Sequence, residues 1–222
     1  MRIFSNLALS LDGRIAQFDR PATPLGTPFD RKIMQDIRYQ ADAILVGAST
    51  MGVTGEAITA KTPNKSRHYP AKVILTGAGN IKKSWPVWSE GRCVKFVFTT
   101  QSSYGSVQKK VRDRAFVEIA GKNDINLNSV IERLARSGIK NLLVEGGGKT
   151  LGAFIEANLL DEIYCTLCPW ILGGGKNPSF VNISEIIPWK KLEIIDSKRV
   201  KNEIYLHYKV KKPKKSRKRR TP

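Results

Sequence analysis

VEGGGKT, residues Val144 to Thr150, joins an apolar run to a segment whose apolar residues recur at helical spacing: Leu151, Phe154, Ile155 and Leu159. The ATP-binding loop GxxxxGK needs a glycine where this chain has Leu143. The dinucleotide fingerprint GxGxxG fails as well, because Leu151 stands where its third glycine belongs. What remains is a glycine loop that lets backbone N–H groups and a helix N-terminus approach an anion closely.

Strand-like and helix-like segments alternate along the chain, which predicts an α/β fold with a mainly parallel sheet. Strands are predicted at RIFSNLAL, AILVG, VILTG, VKFVFTT, FVEIA and NLLVE. Helices are predicted from about Pro28 to Gln40, with Thr27 as N-cap, and from Asn126 to the terminating Gly138. KLEIIDS and NEIYLHYKV alternate on either side of a short polar turn and predict an antiparallel hairpin. VEGGGKT therefore lies at the carboxyl end of a strand, where open α/β sheets bind ligands.

Length and composition favour a single domain without a membrane span. The chain has 222 residues, of which 41% are hydrophobic, enough for one sizeable core. No apolar run approaches the roughly 20 residues that cross a bilayer, and no signal-peptide core is present, so we expect a cytoplasmic protein. Cys165 and Cys168 lack the further ligands of a zinc site, so no metal is expected. The two histidines lie far apart in sequence, which disfavours hydrolytic triads.

The net charge of +19 is concentrated at the C-terminus, where residues 209–222 contain nine lysines and arginines and no acidic residue. We expect residues 1–208 to form the domain and residues 209–222 to form a basic, disordered tail. Such a tail would attract nucleic acid without sequence preference, or would act only as a solubilising extension. The domain keeps the remaining +10, which fits an anionic, phosphorylated ligand.

Three blocks in this order resemble the pyrimidine reductases of riboflavin biosynthesis: ALSLDGRIA, IRYQADAILVGAST and LLVEGGGKTLGAFIEANLLDEIYCTLCPWILGGG. The resemblance covers nearly all of residues 1–208, and the third block is the most specific. It implies a dihydrofolate-reductase-like α/β fold with flanking helices and an antiparallel C-terminal hairpin, usually dimeric. It also implies that NADPH reduces the ribosyl group of a ribosylaminopyrimidine 5′-phosphate to ribityl, with hydride added at C1′ and no dedicated nucleophile. No H-x-E and P-C-x-x-C deaminase motif accompanies these blocks, so a stand-alone reductase is expected.

The resemblance further implies which residues hold NADPH. Ala8, through its backbone, and Ser49 and Thr50 in GAST are expected to contact the cofactor. No acidic residue follows that strand, which favours NADPH over NADH. Alternatively, the glycines form a tight turn, Ser49 or Thr50 caps a helix, and Asp12 with Gly13 forms a plain turn. The run expected along the phosphates consists of Gly147, Gly148, Lys149, Thr150, Leu151, Gly152 and Ala153.

Substrate contacts are implied in the same way. Glu145 resembles the family's substrate-contacting glutamate, which would accept a hydrogen bond from a pyrimidine amino group or a sugar hydroxyl. Arg38 and Lys61 are expected to bind the substrate phosphate, unless they are ordinary surface charges. The family's Asp-x-Pro-x-Leu segment reads here as residues 54–58, with Thr54 in place of the aspartate and Ile58, a predicted substrate contact, at its end. The family's Ser-x-Trp-Ile-Thr stretch is replaced by ATPLGTPFD.

Two other functions stay open at this point. A diverged dihydrofolate-reductase-like oxidoreductase would act on another small substrate, and dihydrofolate itself needs no pair of phosphate-binding cations. A nucleic-acid-binding protein would use its basic tail on a relic reductase fold, and would lose its affinity when the tail is deleted. The order of reduction and deamination differs among members of the family, so the resemblance leaves it undetermined.

Overall fold

The computed structural model describes residues 1–19, 24–54, 69–89, 91–183 and 187–212, with the backbone alone described for residues 52–54. The strands are β1 Arg2–Leu9, β2 Ala43–Gly47, β3 Ala71–Thr76, β4 Lys95–Thr99, β5 Phe116–Ile119, β6 Asn141–Val144, β7 Glu162–Leu167, β8 Leu192–Val200 and β9 Glu203–Val210. The helices are α1 Pro28–Tyr39, α2 Ala48–Thr54, α3 Tyr104–Val111, α4 Leu127–Arg136 and α5 Gly148–Glu156, and a 3-10 helix covers Pro86–Ser89. In these ranges no helix has the length and apolar character needed to cross a bilayer.

The nine strands of the described residues form one sheet in the order β5-β4-β3-β2-β6-β1-β7-β9-β8. All neighbouring pairs from β5 to β7 are parallel, while β9 runs antiparallel to both β7 and β8. The predicted fold class, a mainly parallel sheet that ends in an antiparallel hairpin, is therefore confirmed. Because β2, β6 and β1 are central and parallel, their carboxyl ends lie at one edge of the sheet.

Helices cover both faces of the parallel part of the sheet. On one face α4 and α5 contribute Leu134 and Phe154 to a core that also contains Leu142 of β6. On the other face α1, α2 and α3 contribute to a second core, which contains Leu143, the next residue of the same strand. Successive residues of a strand point to opposite faces, so NLLV is apolar throughout because both of its faces are buried.

The helix termini follow their sequence signals with one exception. The side chain of Asn126 accepts hydrogen bonds from Asn128 N and Ser129 N at the start of α4, and Gly138 follows its end with φ +85°. Thr27 occupies the N-cap position of α1 but makes no capping hydrogen bond. Its hydroxyl donates instead to Glu203 Oε2 at 2.7 Å, so Thr27 is the predicted N-cap residue but its side chain does not cap the helix.

The C-terminal hairpin extends beyond the boundary expected at residue 208. Lys209 pairs with Glu162 of β7 and with Glu193 of β8, and Val210 N donates to Asp161 O at 2.8 Å. Backbone hydrogen bonds to β7 on one side and to β8 on the other keep Lys209 and Val210 in β9, although the basic segment of the sequence begins at residue 209. The structure describes the tail only as far as residue 212.

Candidate cofactor and substrate site

Two helices begin at the carboxyl ends of β2 and β6, and their loops are held together by close contacts. Gly147 N donates to Thr50 Oγ1 at 3.1 Å, which joins the start of α5 to α2. A Cβ atom on Gly47 would lie 2.7 Å from Thr150 Oγ1, and one on Gly146 would lie 2.5 Å from Thr150 Cβ. These two glycines therefore allow α5 to begin beside β2, and the first N–H groups of α5 have no partner within the helix.

The remaining glycines of the run have a packing role. A Cβ on Gly148 would lie 2.4 Å from Ser179 O, and a Cβ on Gly152 would lie 2.5 Å from Asn182 O. Asn182 N donates to Gly148 O at 3.0 Å, so the backbone around residue 182 lies directly against α5. Gly148, Leu151 and Gly152 are accordingly buried, and Ala153 is half-buried. Gly148 and Gly152 are therefore required by close packing against residues 179 and 182, a role that the tight-turn alternative did not include.

A cleft of about 690 Å³ opens at the ends of β2 and β3, beside the start of α5. Three lysines line it, Lys82, Lys110 and Lys149, and none of the described residues in its lining is acidic. Of the predicted cofactor residues, Ser49, Lys149 and Thr150 line this cleft. The cleft is therefore suited to a ligand with several negative charges. Its full lining is Gly47, Ala48, Ser49, Leu75, Thr76, Gly77, Ala78, Asn80, Ile81, Lys82, Trp85, Lys110, Lys149 and Thr150.

Trp85 gives this cleft an aromatic wall with an unused donor. It is 6% exposed and stacks on Trp88, with ring centroids 6.3 Å apart and planes 16° apart. Its buried Nε1 has no hydrogen-bond partner among the described residues. A buried donor without an acceptor is costly, so this indole group is held by its packing rather than by a hydrogen bond to the described residues. Trp85, Lys82 and Lys110 match no local sequence motif, because Lys82 and Trp85 lie between β3 and β4 while Lys110 belongs to α3.

Glu145 and Arg38, both predicted to bind the substrate, are brought into direct contact. Arg38 Nε donates to Glu145 Oε1 and Arg38 Nη2 to Glu145 Oε2, each at 2.7 Å. Their side chains are 14% and 12% exposed, so the pair is largely withdrawn from solvent. The guanidinium group thus uses two of its nitrogens on a carboxylate of the protein. Lys61 and Ile58, the other two predicted substrate contacts, lie outside the described residues.

The first block, ALSLDGRIA, ends in a braced turn. Gly13 has φ +75°, and Asp12 accepts hydrogen bonds from Ser10 Oγ at 2.7 Å, Leu172 N at 3.0 Å and Gly173 N at 2.8 Å. The Ser10 hydroxyl and these backbone donors lower the pKa of Asp12 to about 2. The plain-turn interpretation of residues 12 and 13 is confirmed, with the added contact to the loop after β7. Ala8, half-buried, lies opposite Thr166 of β7 in the parallel register.

The RibD C-terminal domain family matches residues 2–206 of the chain. The chain is 25% identical over 202 residues to the 2,5-diamino-6-ribosylamino-4(3H)-pyrimidinone 5′-phosphate reductase of Archaeoglobus fulgidus, covering 87% of this chain and 92% of that protein. It is 25% identical over 213 residues to the reductase of the same name from Methanothermobacter thermautotrophicus, with 94% and 98% covered. A pyrimidine reductase-like protein from Corynebacterium diphtheriae superposes with a TM-score of 0.85 at 19% identity, covering 96% and 92% of the two chains, which indicates a shared fold.

Proposed function

The chain belongs to the RibD C-terminal domain family, and from that premise we propose that it reduces a ribosylaminopyrimidine 5′-phosphate to the ribityl compound with NADPH. The archaeal relatives that match it over nearly their whole length carry the name of this reductase. We thus propose both the substrate, a ribosylaminopyrimidine 5′-phosphate, and the nicotinamide cofactor, NADPH. The observation that carries it is the lysine-lined cleft at the start of α5.

The cleft fits the phosphate-bearing part of NADPH. The first turn of α5 presents N–H groups that have no acceptor within the helix, and the positive end of the helix dipole, which suits the pyrophosphate. Lys149 stands at that helix start, while Lys82 follows β3 and Lys110 belongs to α3. These two lysines would bind the 2′-phosphate, and Trp85 would contact the adenine with its ring. Of the predicted run, Lys149 and Thr150 line the cleft and would face the phosphates, Gly147 would lie at the helix start beside them, and Gly148, Leu151, Gly152 and Ala153 would support them from within.

Cofactor preference is tested with paired lysine variants. Lys110→Ala and Lys82→Ala should weaken NADPH binding by about tenfold each, with little effect on NADH, because NADH lacks the 2′-phosphate. Lys109→Ala and Lys83→Ala are matched controls, since each is the chain neighbour of a cleft lysine and neither lines the cleft. Fluorescence titration with both nucleotides measures the effect. Equal weakening for NADH and NADPH would place these lysines away from the 2′-phosphate.

The substrate would bind beside the Glu145–Arg38 pair. Each carboxylate oxygen of Glu145 has a second lone pair left after the contact with Arg38, and it would accept from a pyrimidine amino group or a sugar hydroxyl. Arg38 holds that carboxylate in one orientation, and its positive charge also favours the 5′-phosphate. In this proposal Lys61 would bind the 5′-phosphate of the substrate, and Ile58 would make an apolar contact with the substrate. Arg38 would serve chiefly to position Glu145.

The protein's part in the chemistry is binding and orientation. When bound, NADPH supplies the hydride that is added to C1′ of the ring-opened sugar. The start of α5 and the cleft lysines fix the dinucleotide, and Glu145 with Arg38 fixes the pyrimidine and ribosyl groups. Holding both reactants in one geometry removes the entropic cost of their encounter, so no covalent intermediate is required.

Turnover tests this function directly. The protein is mixed with NADPH and a ribosylaminopyrimidine 5′-phosphate in its amino or its deaminated form, and the loss of nicotinamide absorbance is followed. We expect turnover with one of the two forms and none with dihydrofolate, which has no phosphate group for the basic residues. Turnover with dihydrofolate alone would refute the substrate assignment and leave the diverged oxidoreductase as the better description.

We also infer a homodimer formed through the C-terminal hairpin. Ile194 is 57% exposed and Ile195 is 50% exposed on β8, the edge strand of the sheet formed by the described residues. Exposed apolar residues on an unpaired edge strand are typical of a subunit interface. Ile194→Lys should yield a monomer in sedimentation experiments, while Phe116→Lys, equally exposed on the opposite edge strand, should leave the dimer intact. A monomeric parent protein would refute this inference.

A further inference from the structure

Two carboxyl groups, Asp30 and Glu203, lie close together beneath the start of α1. Asp30 Oδ1 accepts a hydrogen bond from Thr166 Oγ1 of β7 at 2.6 Å. Glu203, at the start of β9, is 2% exposed and accepts from Thr27 N at 2.8 Å, from Thr27 Oγ1 at 2.7 Å and from the Tyr205 hydroxyl. With the weak donor Cys168 Sγ, 4.0 Å from Glu203 Oε1, Glu203 has four donors among the described residues, whereas Asp30 has one.

The surroundings drive the two carboxyl groups toward different protonation states. Burial is the largest effect on Asp30 and raises its pKa; the hydrogen bond from Thr166 lowers the pKa by less, the negative charge of Glu203 raises it, and Arg31 has the smallest, lowering effect. Burial acts on Glu203 in the same sense, but the hydrogen bonds from Tyr205 and Thr27 outweigh it, so the pKa of Glu203 is lowered. One carboxyl group of the pair thus favours its protonated form and the other its charged form. The titratable or charged groups around Asp30 are Arg31 on α1, Cys168 after β7, Lys198 on β8, and Glu203 and Tyr205 on β9.

Asp30 also stands at the edge of the sheet where the reactants would meet. Its partner Thr166 lies opposite Ala8, the residue at the carboxyl end of β1 whose backbone we expect to face the cofactor. Asp30 Oδ2 receives no hydrogen bond from the described residues. A Cβ on Gly26 would lie 2.2 Å from this oxygen, so the backbone passes close to the carboxyl group only because residue 26 is a glycine. Thr166 and Gly26 together hold the carboxyl group in one place, and Oδ2 is the oxygen without a hydrogen bond from the described residues.

We propose that Asp30 is the general acid of the reduction, and that it protonates the ring oxygen of the ribosyl group as the sugar opens. This proposal rests on the proposed function. The lone pair of the ribosylamine nitrogen forms the C1′=N bond, the C1′–O4′ bond breaks with its electron pair moving to O4′, and the Asp30 proton moves to O4′. Hydride from NADPH then adds to C1′, and the C=N electron pair returns to nitrogen. The sum is one hydride and one proton added, and the Asp30 carboxylate regains its proton from water.

Thr166 and Glu203 act through Asp30 and are positioning residues in this account. Thr166 fixes the direction of the Asp30 carboxyl group. The charge of Glu203 helps to keep Asp30 protonated at a higher pH than an isolated aspartate would allow. An acid of this kind acts while it is protonated. Activity is therefore full below the pKa of Asp30 in the folded protein and falls as the pH rises through it.

Asp30→Asn is the primary test, with Asp36→Asn on the same helix as the matched control. Asp30→Asn should bind NADPH as the parent protein does and reduce the substrate about 100-fold or more slowly, with loss of the pH-dependent fall. Asp30→Glu should restore part of the rate, and Asp36→Asn should be unchanged. Infrared difference spectra of the free protein give a readout independent of turnover: a protonated carboxyl band should disappear on raising the pH, and should be absent in Asp30→Asn.

The outcomes separate this proposal from the function on which it rests. If the parent protein reduces no ribosylaminopyrimidine phosphate, the proposed function fails. If the parent is active and Asp30→Asn keeps both its rate and its pH profile, the role of Asp30 is overturned. Should Asp30→Asn fail to fold, Thr166→Val takes its place. Thr166→Val should lower the rate of reduction and shift the pH at which activity falls. An unchanged rate and an unchanged pH profile would contradict the proposal.

Discussion

Removing either partner of the Arg38–Glu145 pair should reveal a strong energetic coupling between them. The two residues form two parallel charge-assisted hydrogen bonds of 2.7 Å, and their side chains are 14% and 12% exposed. Hydrogen bonds to charged groups contribute roughly 1.5–3 kcal/mol when buried, and residual solvent contact reduces that. We expect Arg38→Ala, Glu145→Ala and the double variant to give a coupling free energy of about 2 kcal/mol, measured by urea unfolding.

The pair Arg133–Glu118 is a control made of the same residue types in a wetter setting. Arg133 Nε lies 2.6 Å from Glu118 Oε1, but the two side chains are 41% and 25% exposed. Its double-mutant cycle should give less than about 1 kcal/mol, because solvent screens an exposed pair. If the Arg38–Glu145 cycle gave no more than this control, the two residues would not be locked together, and the positioning role assigned to Arg38 would be wrong.

Three further results are expected. Arg2 and His207 hold the pKa of Glu162 at about 2, below its ordinary 4.5, so a stabilisation of about 1–2 kcal/mol should be present above pH 4.5 and lost on acidification towards pH 2. Urea unfolding across that range measures it, and Glu162→Gln should flatten the curve. Gly152→Ala should cost about 2 kcal/mol in thermal unfolding, since its Cβ meets backbone at 2.5 Å, whereas Gly105→Ala, with open space around it, should be neutral. Lys149→Ala should raise the Kd for both NADPH and NADH about tenfold, because the pyrophosphate is common to both, and an unchanged Kd would move the pyrophosphate away from α5.

The predictable parts of the fold are those whose causes are local. The apolar run NLLV predicts a strand covered on both faces, and Asn126 predicts the start of α4, because strand burial and helix capping act within a few residues. VEGGGKT predicts a strand, a glycine loop and a helix, and the structure places all three. The position of that loop at the carboxyl edge of the sheet follows from the order of strands and helices alone.

What the sequence misses comes from contacts between distant parts of the chain. Thr27 has the residue type of a helix cap, yet its hydroxyl binds Glu203, 176 positions away. Asp30 looks like an ordinary acidic residue in a first helical turn until Glu203 and Thr166 are placed beside it. Glu145 and Arg38 are both recognisable from family resemblance, but their bidentate contact depends on how α1 crosses the sheet.

The site glycines illustrate the same limit. Gly147 and Gly148 are adjacent and look equivalent in sequence, and both were predicted to lie along a phosphate. In the fold a Cβ on Gly147 would make an ordinary contact at 3.5 Å, whereas one on Gly148 would collide with Ser179 O at 2.4 Å. The collision depends on a segment some thirty residues further along the chain, so no local pattern distinguishes the two glycines.

Isotope transfer from the cofactor tests the central claim most directly. The protein is incubated with NADPH deuterated at C4 of the nicotinamide and with the ribosylaminopyrimidine 5′-phosphate form that it turns over, and the product is examined by NMR and mass spectrometry. The account predicts one deuterium at C1′ of a ribityl chain, with the 5′-phosphate intact. A product without deuterium at C1′, or an unchanged ribosyl substrate despite bound NADPH, would contradict it.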